Sequence, residues 1–186
     1  MKTIVRETRE TRVEVGLELA TAGADIGAQV RVATGLPFLD HMMSTLAFYA
    51  GVSLVLEAKG DLRHHLIEDV ALAFGEAVAR AVPERAARYG TFTLPMDDAL
   101  VEVAIDTGGR AYYEGPLPAE LYDHWFRSFA TQSRSTLHVR VIRGSDRHHV
   151  VEAAFKALGL SLRAALAESG PLFSTKGSVR WSEGSC

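Results

Sequence analysis

His64-His65-Leu66-Ile67-Glu68-Asp69 is echoed 84 positions later by His148-His149-Val150-Val151-Glu152. The double His and the Glu stand in the same order at the same spacing, each set at the head of a long helical pattern. Ala73, Gly75 and Ala81 keep that offset to Ala157, Gly159 and Ala165. Asp40-His41 falls 83 positions before Asp123-His124, inside a shorter helix each time, and Ala47 keeps that offset to Ala130. Most other positions differ. An internal duplication accounts for the polar residues that recur within a repeated helix pattern.

The flanking elements are read from hydrophobic period and from punctuating residues. Thr8 to Ala20 alternates around Val13, Val15, Leu17 and Leu19, which predicts a strand. Thr21 to Gly27 reads as a turn and Ala28 to Ala33 as a second strand. Pro37 opens a helix over about Phe38 to Tyr49, ended by Gly51. Val52 to Ala58 reads as a strand, and a long helix runs from His65 to about Val82, stopped by Pro83. In the second half Arg88 to Leu94, Leu100 to Asp106 and Arg110 to Tyr113 read as strands. A helix from Pro118 to about Thr131, a strand at Thr136 to Ile142 and a helix from Arg147 to about Ala167 follow. The order strand, strand, helix, strand, helix thus occurs twice. Ser169 to Cys186 reads as a Gly- and Ser-rich tail.

The 186 residues carry 20 Lys and Arg against 23 Asp and Glu, a net charge of −3, with 47% hydrophobic and 23% charged residues. Such a chain is an ordinary globular protein of one domain or two small repeats sharing a core. A net negative balance gives no general drive toward nucleic acid or an anionic membrane. The single Cys, Cys186, closes no intramolecular bridge. No apolar run reaches membrane-spanning length, and the start is charged too early for a signal peptide. The expected location is the cytoplasm.

The repeated motif carries chemistry. On a helix, His64 and Glu68 lie one above the other on one face, whereas His65 is turned away by about 100°. His148, Glu152 and His149 stand in the same relation. Each motif offers one His/Glu pair and one His pointing elsewhere, as two metal ions would require. With His41 and His124 the set is six His and two Glu, enough for three imidazoles and one carboxylate per ion. Such sites suit manganese, iron, zinc or cobalt. A lone helical His is ordinarily a surface or hydrogen-bonded residue, and His138 is read that way. Six of the seven His fall in the repeated pattern.

Four stretches together carry a resemblance over essentially the whole chain. Thr34-Gly35-Leu36-Pro37-Phe38-Leu39-Asp40-His41-Met42, His64-His65-Leu66-Ile67-Glu68-Asp69, His148-His149-Val150-Val151-Glu152-Ala153-Ala154-Phe155-Lys156 and Ser174-Thr175-Lys176-Gly177 resemble, in order, the signatures of the imidazoleglycerol-phosphate dehydratase family. The resemblance implies an α+β fold made of an internally duplicated two-layer unit, similar to ribosomal protein S5 domain 2. Its mixed sheets would carry helices packed on one face. One domain, residues 1–186, would comprise repeats of about 1–90 and 91–186. It implies a homo-oligomer, a 24-mer built through trimers, with active sites between subunits.

The same resemblance implies two Mn(II) ions per subunit, held by residues matching His41, His64, His65, Glu68, His124, His148, His149 and Glu152. Combined with the helix geometry, this predicts that His64 and Glu68 share one ion and His148 and Glu152 the other. His149 would join the first and His65 the second, while His41 and His124 stay unassigned. The implied reaction removes water from a phosphorylated imidazole diol, giving imidazole-acetol phosphate in histidine biosynthesis, with the ring bound as imidazolate between the ions. Glu10, in Arg6-Glu7-Thr8-Arg9-Glu10-Thr11, matches the family's acid/base glutamate; taken alone it reads as a solvated strand charge. Glu152 is expected both to ligate and to relay protons. Arg88, Arg110, Lys156, Ser174 and Lys176 match positions that hold the phosphate end.

Three departures touch the substrate side. Leu62-Arg63 stand where acidic residues usually precede the first double His. Thr45 replaces a Gln that helps hold substrate, and Pro171-Leu172-Phe173 replaces the usual Gly-Val/Ile-Pro. The alternatives are a divergent paralogue with another substrate, a two-metal hydrolase that activates water, and a non-catalytic assembly protein stapled by metal. The cationic set at Arg88, Arg110 and Lys176 argues against the last, since a staple needs no anion pocket.

Overall fold

The computed structural model describes residues 1–19 and 29–169. The expected turn at Thr21 to Gly27 and the tail that bears Ser174, Lys176 and Pro171-Leu172-Phe173 lie outside the described residues.

Two units of the same design follow one another. The first comprises β1 (Lys2–Glu7), β2 (Thr11–Leu19), β3 (Val30–Ala33), α1 (Pro37–Ala50), β4 (Val52–Gly60) and α2 (Arg63–Ala81). The second comprises β5 (Tyr89–Met96), β6 (Ala99–Asp106), β7 (Tyr112–Glu114), α3 (Glu120–Ser133), β8 (Thr136–Arg143) and α4 (Arg147–Ala165). The sheet orders are β1-β2-β4-β3 and β5-β6-β8-β7. In each sheet two antiparallel pairings are followed by one parallel pairing, β3 with β4 or β7 with β8, across a connecting helix.

The expected elements are present, with one addition and one correction to the repeat. β1 was not anticipated, so each unit reads strand, strand, strand, helix, strand, helix. β1 is an edge strand carrying Arg6 and Glu7, with Val5 exposed. Charge on an edge blunts strand-to-strand aggregation and also erases the alternation that reveals a strand. Helix ends follow local chemistry. Pro37 sits in the first turn of α1, and Gly51 ends it at φ 67°, its N–H reaching the Ala47 and Phe48 carbonyls. α3 ends the same way on Arg134 at φ 54°, a left-handed conformation in a residue other than glycine.

Each sheet turns an apolar face to its own helices, and the helices pair across the units, α1 on α4 and α2 on α3. The buried apolar residues form one cluster through both units. At its centre Trp125 lies parallel to Phe129, with centroids 5.5 Å apart, and meets Phe155 at 4.6 Å. Close crossings need small residues. A Cβ on Gly75 would stand 2.9 Å from the Phe129 carbonyl oxygen, and one on Gly159 would stand 2.7 Å from that of Leu46. Gly75 and Gly159 are duplicates of one another, one at each inter-unit crossing. This exchange brings α1 to the head of α4, and α3 to the head of α2. No helix of the described residues is long and apolar enough to cross a membrane.

Candidate metal centre

Asp40 and Asp123 set the two shorter helices. Asp40 Oδ1 accepts from the Thr34 N–H at 2.8 Å and the Thr34 hydroxyl at 2.6 Å. Asp123 Oδ1 accepts from the Tyr113 hydroxyl at 2.6 Å and the Leu117 N–H at 2.9 Å. Each therefore fixes the loop entering its helix and the His that follows it. Burial, then the bond to Asp123, raises the Tyr113 phenol well above its ordinary value, so Tyr113 serves as a donor.

The units then exchange ligands. His124, on α3, brings Nε2 to 3.4 Å from Glu68 Oε2, and His64 Nε2 lies 3.7 Å from the same oxygen. The His64 and His124 rings stack at 5.0 Å. The ligand atoms of His64, Glu68 and His124 all lie within 4.8 Å of one another. At the head of α4, in the second unit, His41 from α1 of the first reaches Glu152 Oε2 at 3.3 Å, and His148 reaches it at 3.0 Å. Phe38 packs on His148 at 5.2 Å, tying α1 to the head of α4. The expected pairs His64/Glu68 and His148/Glu152 are together, and the structure adds His124 to the first and His41 to the second.

His65 and His149 turn away from these clusters. His65 Nδ1 lies 3.0 Å from Asp61 Oδ1 and 3.5 Å from Glu10 Oε2. His149 Nδ1 lies 2.7 Å from Asp98 Oδ1, and its Nε2 lies 3.5 Å from Asp97. Asp61 raises His65 above its ordinary value by hydrogen bonding, and Asp98 does the same for His149. Asp98 itself is held far below the carboxylate range, first by the Ser145 N–H and then by His149. Sequence reasoning missed Asp61, Asp97 and Asp98. Asp61 stands beside the departure at Leu62-Arg63 and supplies a carboxylate to the double His from one residue upstream. Asp97 and Asp98 occupy the β5–β6 turn, the counterpart of the turn that carries Glu10.

The donor set fits a divalent cation. His124 Nε2 is buried and has no hydrogen-bond partner among the described residues. Its approach to Glu68 lacks hydrogen-bond geometry. A buried polar nitrogen left unpaired is costly, and a cation shared with His64 and Glu68 satisfies it. Mixed imidazole and carboxylate donors suit first-row metals.

The expected phosphate ligands are placed unevenly. Arg88, at φ 72°, forks onto Asp106 with contacts of 3.1 Å to both oxygens. A Cβ on Gly108 would stand 1.8 Å from the Arg88 guanidinium, so a side chain there would displace that guanidinium. Lys156 Nζ lies 2.9 Å from Glu152 Oε1. Burial pushes Glu152 up, but hydrogen bonds from Lys156 and His41 outweigh it and leave the carboxyl below its ordinary value. Arg110 is exposed. Thr45 lies half-buried one turn after His41 on α1. His138 is exposed on β8, with its ring 5.6 Å from that of Tyr112.

A duplicated α+β unit whose helices exchange His and Glu across the repeat defines an enzyme of the hydro-lyase class when set beside its relatives. A model of the family described as imidazoleglycerol-phosphate dehydratase matches residues 34–162. The chain is 44% identical over 191 residues to the imidazoleglycerol-phosphate dehydratase of Pyrobaculum calidifontis, spanning 94% of this chain and 98% of that one. It is 42% identical to the bifunctional histidine-biosynthesis protein HisB of Stenotrophomonas maltophilia, covering 95% of this chain and 52% of that one. The crystal structure of the Pyrococcus furiosus dehydratase superposes with a TM-score of 0.84 at 36% identity, over 95% of this chain and all of that one. The Staphylococcus aureus enzyme superposes with a TM-score of 0.75 at 28% identity, over 91% of this chain and all of that one. The chain belongs to the imidazoleglycerol-phosphate dehydratase family, hydro-lyases of histidine biosynthesis.

Proposed function

We propose that the protein removes water from imidazoleglycerol phosphate to give imidazole-acetol phosphate in the cytoplasm, with two Mn(II) ions per subunit. His64, Glu68 and His124 would hold one ion, and His41, His148 and Glu152 the other. His65 and His149 face outward from these clusters, and they would complete the shells of neighbouring subunits in a 24-mer. The observation that carries the reading is the buried, unpaired Nε2 of His124 facing Glu68 and His64. When bound, the cations supply Lewis acidity that stabilises negative charge on the substrate's imidazole ring.

The chain's own groups do the rest. Glu10 Oε2, on an exposed turn beside His65, takes the proton from the carbon next to the one that loses its hydroxyl. The hydroxyl of the ring-side carbon leaves as water, and the resulting enol becomes the ketone as its O–H proton is released and the ring-side carbon is protonated. Glu152, bonded to Lys156, is a second proton relay. Arg110, with Ser174 and Lys176, holds the phosphate dianion. Arg88 and Lys156 reach it only by sharing their charge with Asp106 and Glu152.

The test is turnover by protein stripped of metal and refilled with Mn(II), following imidazole-acetol phosphate. Mn-dependent product that is lost in His64→Ala is the expected result. An assembled, metal-loaded protein that leaves the imidazole diol intact would point to another substrate.

A further inference from the structure

Asp69 follows the ligand Glu68 on α2, yet it faces away from the metal cluster. It is only 7 % exposed. Its two oxygens are taken by the N-terminal hairpin: the Thr11 hydroxyl donates to Oδ2, and Arg6 Nη2 lies 2.9 Å from Oδ1. Thr11 is buried as well, at 4 %. The turn between β1 and β2 is further wound on Thr8, whose Oγ1 accepts from the Glu10 N–H at 3.1 Å and the Thr11 N–H at 3.0 Å. Thr8 N–H donates to the Thr11 carbonyl at 2.9 Å, and Asp61 N–H donates to the Glu10 carbonyl at 3.1 Å. Glu10 is the exposed apex of a turn whose base is bolted to α2 by one buried carboxylate.

The duplication supplies an internal control. The position equivalent to Asp69 in the second unit is Ala153, fully buried. There the hairpin turn is only Asp97-Asp98, since Met96 pairs directly with Ala99. That hairpin is tied instead through Asp98 to the loop before α4. Docking a hairpin on the long helix therefore does not require a carboxylate from the helix. A buried charge is a costly way to join two elements, and its benefit lies in fixing one arrangement. It stands only in the unit whose turn carries Glu10.

We propose that Asp69 is a positioning residue for Glu10. Through Thr11 and Arg6 it fixes the β1–β2 turn, so that the Glu10 carboxylate stays beside His65, where substrate is handled. This rests on the reading of Glu10 as the proton-transferring group. It also explains why the Arg-x-Thr-x-Glu-Thr run (residues 6–11) and the Asp after the first His-His-x-x-Glu belong together, although 58 positions separate Thr11 from Asp69.

The test uses the full chain, assembled and Mn-loaded, with Asp69→Asn, Thr11→Val, Thr11→Ser and Glu10→Gln. For Asp69→Asn and Thr11→Val, kcat should fall by about tenfold or more while KM moves by about twofold or less, as for a group that acts in the transition state. Thr11→Ser keeps the hydroxyl and should stay near wild type. In the metal-free protein, amide exchange at residues 8–11 should rise in Asp69→Asn and in Thr11→Val, with the rest of the chain unchanged. Adding Asp69→Asn to Glu10→Gln should cost no further rate, because Asp69 acts through Glu10.

Unchanged exchange and unchanged kcat in Asp69→Asn would overturn the proposal, as would effects that multiply in the double variant. If Asp69→Asn does not fold, Thr11→Val carries the same comparison. Should Glu10→Gln turn over at the wild-type rate while Asp69→Asn still loosens the turn, the clamp stands and the assignment of Glu10 has failed.

Discussion

At the scale of the residue, the His65 and His149 rings are oriented by carboxylates that sequence spacing conceals. Asp98 accepts from the Ser145 N–H at 2.7 Å, the Ser145 hydroxyl at 2.8 Å and the Asp146 N–H at 3.1 Å. Its other oxygen meets His149 Nδ1 at 2.7 Å. A carboxylate held this way accepts a hydrogen bond from Nδ1–H and leaves Nε2 of His149 as the atom that would ligate the proposed ion. Asp98→Asn is expected to weaken Mn(II) binding by about 10–100-fold, read by calorimetric titration of the stripped protein. The fold should survive, since Asn still accepts the backbone N–H bonds. Of the eight proposed ligands, His64, Glu68, His148 and Glu152 were legible because His-x-x-x-Glu is a local helical geometry, and the other four through the repeat and the family resemblance. Asp98 was not, because it lies 51 positions from His149 and meets it only through the fold.

At the scale of the element, the duplicate glycines decide how closely the helices cross. Alanine at Gly159 gains up to about 1 kcal/mol of helix propensity. Its Cβ would press within 2.7 Å of the Leu46 carbonyl and 2.8 Å of Tyr49 Cβ, contacts that need backbone movement. Overpacking of that kind costs about 1–3 kcal/mol. Gly159→Ala should therefore lower the urea midpoint with an unchanged m-value, and Gly75→Ala should do the same at the α2–α3 crossing. The helices were readable because their apolar stripes and stop residues are local signals. β1 was not, because its pairing with β2 is visible only once the hairpin is closed. The left-handed end of α3 on Arg134 was equally hidden, since no glycine marks it.

At the scale of the whole molecule, the two units are joined by an acidic group as well as by apolar packing. Glu76, on α2, accepts from Gln132 Nε2 at 2.9 Å, with Arg80 at 2.6 Å and Arg134 at 3.6 Å. The bond from Gln132, then that from Arg80, holds the carboxyl below its ordinary value. A carboxyl lowered by folding stabilises the protein above its unfolded pKa, and that contribution is lost as pH falls through the folded value. Wild type should exceed Glu76→Gln in unfolding free energy at neutral pH, and the gap should close only in acid, below about pH 5. Urea unfolding across a pH series checks this; a gap independent of pH would show that the charge of Glu76 does not join the units.

The sequence by itself determined the duplication, the helix–strand order apart from β1, and the local His and Glu pairs. Each of these depends on residues a few positions apart or on a recurrence along the chain. Only the tertiary structure decided that His124 joins His64 and Glu68 while His41 joins His148 and Glu152. It also showed that Asp61 and Asp98 face the remaining His, that Arg88 and Lys156 are engaged by Asp106 and Glu152, and that Asp69 holds the turn of Glu10. Those contacts depend on which helix of one unit packs on which helix of the other, and on which hairpin closes over which helix. That choice is made by the shape of a core shared between the units, and no local spacing encodes it.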